Sequence, residues 1–351
     1  VTEFFQEGFT KCLIGTRGLL GEGWDASKIN VLVDLTTVTT SMSINQLRGR
    51  SMRLDKTWPN KVANNWDVVC LAEEFIKGFD DYDRFRKKHT NLFGVCDDGS
   101  IEKGVGHVHA AFTELQPEGV NEGMAVLNRE MLERSRMRSE TREMWGIGEP
   151  FSAESRKSLE FKPAPAGGGG LGFQFGKRAD PWTDASLNRS IITAVANAMW
   201  DANLLPKGSK LGGGERGGGW YRYFIDGCSQ EQSDLFAGAL SEVFGGLEDA
   251  RYIIGRSSVF FDDTFLSKLL PEVLAKYLRK GRKELVMYHR VPSCLAGKKK
   301  HAKWFEDQWN AHVSPGRAVY VHSNEGKQLL QQARDGNLAP HHSLHLKDVY
   351  L

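Results

Sequence analysis

Between Lys162 and Gly176 the chain reads KPAPAGGGGLGFQFG, and this tract constrains the fold more than any other feature of the sequence. Proline removes a backbone donor and glycine loses the most backbone entropy on ordering, so the tract favours neither helix nor strand. Each side must therefore close its own core, and 351 residues are ample for two or three cores. The expected division is an α/β segment over 1–75, a helical segment over 76–160, a Gly/Pro-rich linker over 161–180, an α+β domain over 181–340 and a disordered or surface tail over 341–351.

The first segment alternates elements in α/β order. VTEFFQEGF reads as a short helix with Phe4, Phe5 and Phe9 toward a core, running into the strand-like KCLIGT. Ile29–Thr36 (INVLVDLT) is a near-continuous β-branched run of the kind found in parallel strands buried on both faces, and Trp66–Ala72 (WDVVCLA) has the same character. Between them the arginine-rich SINQLRGRSMRL suits a loop entering a helix. Two charged helices follow, GFDDYDRFRKKH and AVLNREMLERSRMRSETREMW. The second carries Leu127, Met131 and Leu132 on its apolar side and Arg134, Arg136 and Arg138 in its C-terminal half.

Beyond the linker, Leu187, Ile191, Val195 and Met199 recur at fourfold spacing, an amphipathic helix. LGGGERGGG is a second glycine tract leading into WYRYFID, an alternating strand. Ser229 and Gln232 form a capping box ahead of a helix carrying Leu235, Phe236, Leu240 and Val243, which Gly245 and Gly246 end. RYIIG, ELVMYHRV and RAVYVHS read as strands, and Leu266–Leu278 as a helix kinked or restarted at Pro271.

Two segments carry chemistry, Gly15–Asp25 (GTRGLLGEGWD) and Gln46–Asp55 (QLRGRSMRLD). Glycines at 15, 18, 21 and 23 would let backbone approach a phosphate closely. Paired arginines would stabilise charge on a γ-phosphate, because phosphoryl transfer is accelerated mainly by positioning and electrostatics. Taken singly, the same residues read as a flexible loop and as two solvated helix-surface arginines.

Together they resemble a known pair. Gln46-x-x-Gly49-Arg50-x-x-Arg53 resembles motif VI, QxxGRxxR, of superfamily 2 helicases. Gly15–Asp25 resembles motif V, with LLxEGxD similar to the excinuclease and restriction-enzyme branch, and the order of motif V, strand and motif VI is also the family's. The resemblance implies a partial RecA-like helicase C-terminal lobe with a parallel sheet, then a helical extension and an accessory domain. It implies that Arg50 and Arg53 are arginine fingers reaching ATP held by another lobe, with Gln46 near the γ-phosphate or the attacking water. Gly23, Asp25 and Gly49 would stand on the nucleotide side, and Thr16 and Arg17 would touch the backbone of a bound strand.

The complementary half of such a site is missing from the sequence. No GxxxxGK[ST] occurs, since Gly176-Lys177-Arg178 and Gly297-Lys298-Lys299 lack both spacing and hydroxyl. No DExH or DEAD box occurs either, and Asp80, Asp81 and Asp83 follow no buried strand. The resemblance therefore implies that ATP with Mg2+ is bound mainly by an upstream RecA-like lobe of the same polypeptide, and that this chain alone is inactive. DNA or RNA would be the track. Two other readings stand beside it: a non-catalytic module binding nucleic acid or protein, and the motor subunit of a restriction or phage-defence system with a nuclease or other defence or repair partner.

With a net charge of only +2, nucleic-acid contact must come from local basic patches. Lys298, Lys299 and Lys300, followed by His301, Lys303, Trp304, Phe305 and Trp309, form one such patch, suited to phosphate contact and base stacking. The same residues also read as a solvated lysine turn before a helix whose aromatics face the core. Arg216 and Trp220 flank the second glycine tract, where a plain loop is the competing reading. His301-x-Lys303 with Asp307 falls one position short of the HxKxxxxD nuclease pattern, and His341, His342 and His345 lack companion ligands, so no metal site is expected. The five scattered cysteines form no CxxC and read as reduced, buried thiols. Apolar runs fall short of the ~20 residues a membrane span needs, and Glu3 and Glu7 stand where a signal peptide would be basic. The expectation is a cytoplasmic protein with no membrane partner.

Overall fold

A computed structural model describes residues 2–16, 18, 25–150, 152–163, 177–178, 184–262 and 280–351. Most of the expected linker and the whole 266–278 helix with Pro271 lie outside these residues, as do Arg17, Gly21 and Gly23. The described chain is mixed α/β and divides into two compact units, Val1–Ala153 with Val349–Leu351, and Glu154–Asp348.

The first unit opens with α1 (Thr2–Gln6), β1 (Val31–Asp34), α2 (Ser41–Ser51) and β2 (Asn64–Asp67). β1 and β2 pair in parallel, from Val31 opposite Asn64 to Asp34 opposite Asp67, and α2 is the crossover a parallel pair requires. Next come α3 (Asp80–His89), the antiparallel pair β3 (Phe93–Val95) and β4 (Ile101–Lys103), α4 (Pro117–Arg136) and α5 (Arg138–Met144). Tyr82, Phe85, Phe112 and Leu127 close a small core, with Met131 packed against it, while Leu132 is exposed.

Several expectations fail here. KCLIGT forms no strand, and Ile14 is 89% exposed. Phe4 and Phe9 are exposed, tilted against each other with ring centroids 5.5 Å apart instead of entering a core. The Trp66–Ala72 strand ends at Asp67. Val31 and Val33 are 44% and 53% exposed, so β1 is not covered on both faces; the described parallel sheet has two strands, and no described element of this unit covers those side chains.

The second unit's first strand is β5 (Arg156–Lys162), which starts ahead of the expected linker and runs two residues into it, because β5 joins that unit's sheet. After β6 (Lys177–Arg178) come α6 (Asp184–Asp201), β7 (Lys210–Arg216), β8 (Trp220–Asp226), α7 (Gln230–Phe244), β9 (Tyr252–Asp262) and β10 (Lys280–Arg290). The chain ends with α8 (Ser293–Ala296), α9 (Lys299–His312), β11 (Ala318–Tyr320), α10 (Asn324–Asp335) and β12 (Ser343–Tyr350). One sheet of this unit runs β12-β5-β8-β7, and β9 pairs antiparallel with β10, β11 and β6.

Ile191, Val195 and Met199 of α6 are buried with Phe236, Leu240 and Val243 of α7 and with Phe305 and Trp309 of α9. The Ser229–Gln232 capping box forms as expected. The second glycine tract is strand through Arg216, and only Gly217–Gly219 turn the chain. A Cβ on Gly212 would come within 2.3 Å of the Phe224 ring, and one on Gly213 (φ +97°) within 2.1 Å of the Arg222 carbonyl oxygen, so glycine is what lets β7 lie this close to β8. β8 is buried at Trp220, Tyr221, Arg222, Tyr223 and Ile225 instead of alternating, because it lies between two strands with its faces covered.

Residues 341–351 are not a tail. β12 is a sheet strand; its last residues, Val349 and Tyr350, belong to the first unit and pair within it with Glu102 and Ile101. Cys96 is buried, but Cys12 and Cys70 are exposed, contrary to the expectation of buried thiols; none of the five is in a disulfide.

Candidate functional site

The site is organised by the geometry of α2. At 3.6 residues per turn, positions i, i+3, i+4 and i+7 share one stripe, so Gln46, Gly49, Arg50 and Arg53 line one side while Ile44, Arg48 and Ser51 line the other. Burial follows this division: Ile44 and Ser51 are fully buried, Gln46 is exposed, and Gly49 and Arg50 are part-exposed. Regular helix ends at Ser51, but Met52 keeps αR dihedrals and the Arg53 amide donates to the Arg50 carbonyl at 3.4 Å, so Arg53 continues the stripe.

Gly49 sits mid-helix, where glycine costs about 0.5–1 kcal/mol relative to alanine. A Cβ there would meet nothing within 4 Å, so nothing in the described fold requires the glycine.

The end of the first motif is tied to the end of the second. Asp25 forms an ion pair with Arg53. Ser27 Oγ donates to Asp55 at 2.6 Å, and Lys61 Nζ donates to the carbonyls of Ser27 at 2.5 Å and Arg53 at 2.6 Å. Hydrogen bonds from Ser27 and then Thr57 hold the Asp55 carboxyl down at about 2. The structure thus brings together Asp25, Gln46, Gly49, Arg50 and Arg53. Thr16 is exposed on the segment before 25, and Arg17 and Gly23 lie outside the described residues.

The buried side of α2 carries a cluster that the motifs do not flag. Arg48 Nη2 donates to Asp67 Oδ2 at 2.6 Å and lies 3.2 Å from His89 Nε2; Lys88 Nζ donates to Asp34 at 2.7 Å and to Asp67 at 2.6 Å. Asp34 and Asp67 are opposite each other at the C-terminal ends of β1 and β2. Burial pushes the Asp34 carboxyl up, but hydrogen bonds from Lys88 and Thr36 outweigh it, and its pKa is lowered.

His89 is buried with Nδ1 3.0 Å from the Phe85 carbonyl, so Nδ1 carries the proton and Nε2 accepts from Arg48. Burial, then the Arg48 charge, pushes it down to about 4, in agreement with that neutral tautomer. Two positive and two negative groups with a neutral imidazole leave the cluster balanced. Sequence pattern could not find it: Arg48 occupies an unspecified position of the motif, and Lys88 is one of several basic residues on a charged helix.

In the second unit the basic patch is split by burial. Phe305 and Trp309 are core residues. Trp304 is held within its own helix, with Lys300 Nζ 4.7 Å from the ring centroid and the His301 ring stacked at 5.2 Å. The aromatics therefore do not form a base-stacking platform, and the exposed Lys298, Lys299 and Lys300 are what the patch offers. Lys303 is engaged by Glu306 and Asp307. Arg216 and Trp220 are buried instead of facing a ligand: Arg216 and Arg222 both donate to Glu160, and Lys347 donates to it at 2.5 Å.

His341 contacts Asn337, His342 packs on Phe161 and Phe244, and His345 packs on Trp220. Among the described residues no group of three His, Cys, Asp or Glu could hold a metal ion, and no helix is long and apolar enough to cross a membrane. No family model matches the chain, and no curated protein or solved structure matches it.

Proposed function

We propose that this chain supplies the finger half of the ATP site of a superfamily 2 nucleic-acid helicase or translocase, with residues 1–75 as part of a RecA-like C-terminal lobe. The observation that carries the reading is the outward stripe of α2. Gln46, Arg50 and Arg53 share it with a glycine that costs helix stability, and no packing within the described fold requires that glycine. An unshielded backbone beside paired guanidinium groups fits the close approach of a polyphosphate from outside the chain.

ATP with Mg2+, held mainly by an upstream lobe, would supply the bond that is cleaved. The work of this chain is electrostatic. Arg50 and Arg53 present fixed positive charge to the γ-phosphate, and Gln46 offers a donor and an acceptor on the same stripe. Arg53 can satisfy the Asp25 carboxylate or phosphate oxygens, and exchanging one for the other loosens a tether on the 25–29 loop. This links nucleotide state to the segment carrying Thr16 and Arg17, which would lie along DNA or RNA.

Gly49→Ala tests this reading in the complete protein. The expected outcome is a fold stabilised by about 0.5–1 kcal/mol in thermal melting, the helix-propensity gain, with lowered ATP turnover. Stabilisation with wild-type turnover would show that nothing approaches Gly49. For the second unit, replacing Lys298, Lys299 and Lys300 together by Glu is expected to weaken nucleic-acid binding. It should also flatten the slope of log K against log salt by roughly 0.7–0.9 per lost phosphate contact. Equal affinity and slope would leave these lysines as a solvated turn.

A further inference from the structure

We infer that Arg48 is the positioning residue for Arg50 and Arg53, fixing the rotation of α2 about its own axis; this inference rests on the motor reading. Arg48 lies inside the same motif but on the opposite side of the helix, where its guanidinium reaches two elements at once. These are Asp67 at the end of β2, at 2.6 Å, and His89 at the end of α3, at 3.2 Å. Lys88 closes the arrangement by joining the same Asp67 to Asp34 of β1. Asp67 is thus shared by two cations from two different helices.

A balanced buried ion network is weak evidence for stability, since apolar groups of the same volume often do as well. Its distinct contribution is direction. A planar guanidinium with fixed partners holds one azimuth, whereas the apolar contact of buried Ile44 is non-directional. On the same side Ser51 Oγ donates to Asn65 of β2 at 2.6 Å, a single hydrogen bond to one element. Rotating α2 by a fraction of a turn would swing Arg50 and Arg53 by ångströms, enough to cost roughly 100-fold in rate.

The test compares Arg48→Met and Arg48→Lys in the complete protein. Arg48→Lys keeps the two cations that balance Asp34 and Asp67, whereas in Arg48→Met the two carboxylates share Lys88 alone. For Arg48→Met the expected result is a kcat roughly 10–100-fold lower with an unchanged KM for ATP. Lys restores the charge but not the rigid planar head that carries Nη2 to both partners, and should recover only part of kcat. In the 351-residue chain, α2 amides of Arg48→Met should exchange hydrogen faster while those of α6 stay unchanged.

Wild-type kcat in a folded Arg48→Met protein, or unchanged α2 exchange, overturns the inference. Should the Met variant fail to fold, Arg48→Lys decides by itself, and wild-type kcat there overturns the inference equally. Failure here is distinguishable from failure of the motor reading. If Arg50→Ala and Arg53→Ala are inactive while Arg48 variants turn over normally, only the positioning role falls. If the finger variants also turn over normally, both fall.

Discussion

Arg50→Ala and Arg53→Ala are each expected to lower nucleic-acid-stimulated ATPase of the complete protein by about 10³–10⁵-fold, the effect seen for arginine fingers, while leaving nucleic-acid affinity nearly unchanged. For Arg53→Ala, loss of the fold cannot account for such a drop. Arg53 and its partner Asp25 are 43% and 71% exposed, and pairs in that setting contribute at most about 1 kcal/mol. A 10³–10⁵-fold loss corresponds to roughly 4–7 kcal/mol of transition-state stabilisation. Steady-state turnover set beside a thermal melt separates the two effects, and unchanged turnover in both variants would remove the finger assignment.

Glu160→Gln should produce the largest stability effect. Burial alone would raise the Glu160 pKa, but Arg222, Arg216 and Lys347 outweigh it and hold the carboxylate ionised. The amide keeps the shape and removes the charge that all three cations face, in a setting where the side chains of Glu160, Arg216 and Arg222 are fully buried. Removing one member of a buried ion network costs about 3–5 kcal/mol, which for a unit of this size lowers the melting temperature on the order of 10 °C. A shift of a degree or less would show that the cations are compensated without Glu160.

Legibility differed between the two halves for physical reasons. In the second unit, fourfold apolar spacing in α6 and the capping box of α7 are local signals, and the structure follows them. The 211–219 tract misled because glycine serves two ends: it frees a loop, and it lets two strands approach closely, as Gly212 and Gly213 do beneath β8. Three histidines within five residues make β12 look like a polar tail, yet His342 packs on Phe161 and Phe244 and His345 on Trp220, contacts set by residues 98 to 181 positions away.

In the first unit the motif residues could be placed by helix geometry alone. The Arg48–Asp67–Lys88–Asp34–His89 cluster could not, because it joins four elements separated by up to 54 positions. Burial was equally hidden: β1 has the composition of a covered strand, and only the structure shows Val31 and Val33 standing exposed.

The central claim is that the outward stripe of α2 faces the γ-phosphate. The measurement that tests it most directly is a structure of the complete protein bound to a non-hydrolysable ATP analogue. The expected result places the guanidinium nitrogens of Arg50 and Arg53 about 2.7–3.2 Å from γ-phosphate oxygens, with Gly49 against the nucleotide and Asp25 released from Arg53. An analogue bound elsewhere, with Arg53 still paired to Asp25 and the stripe open to solvent, would contradict it.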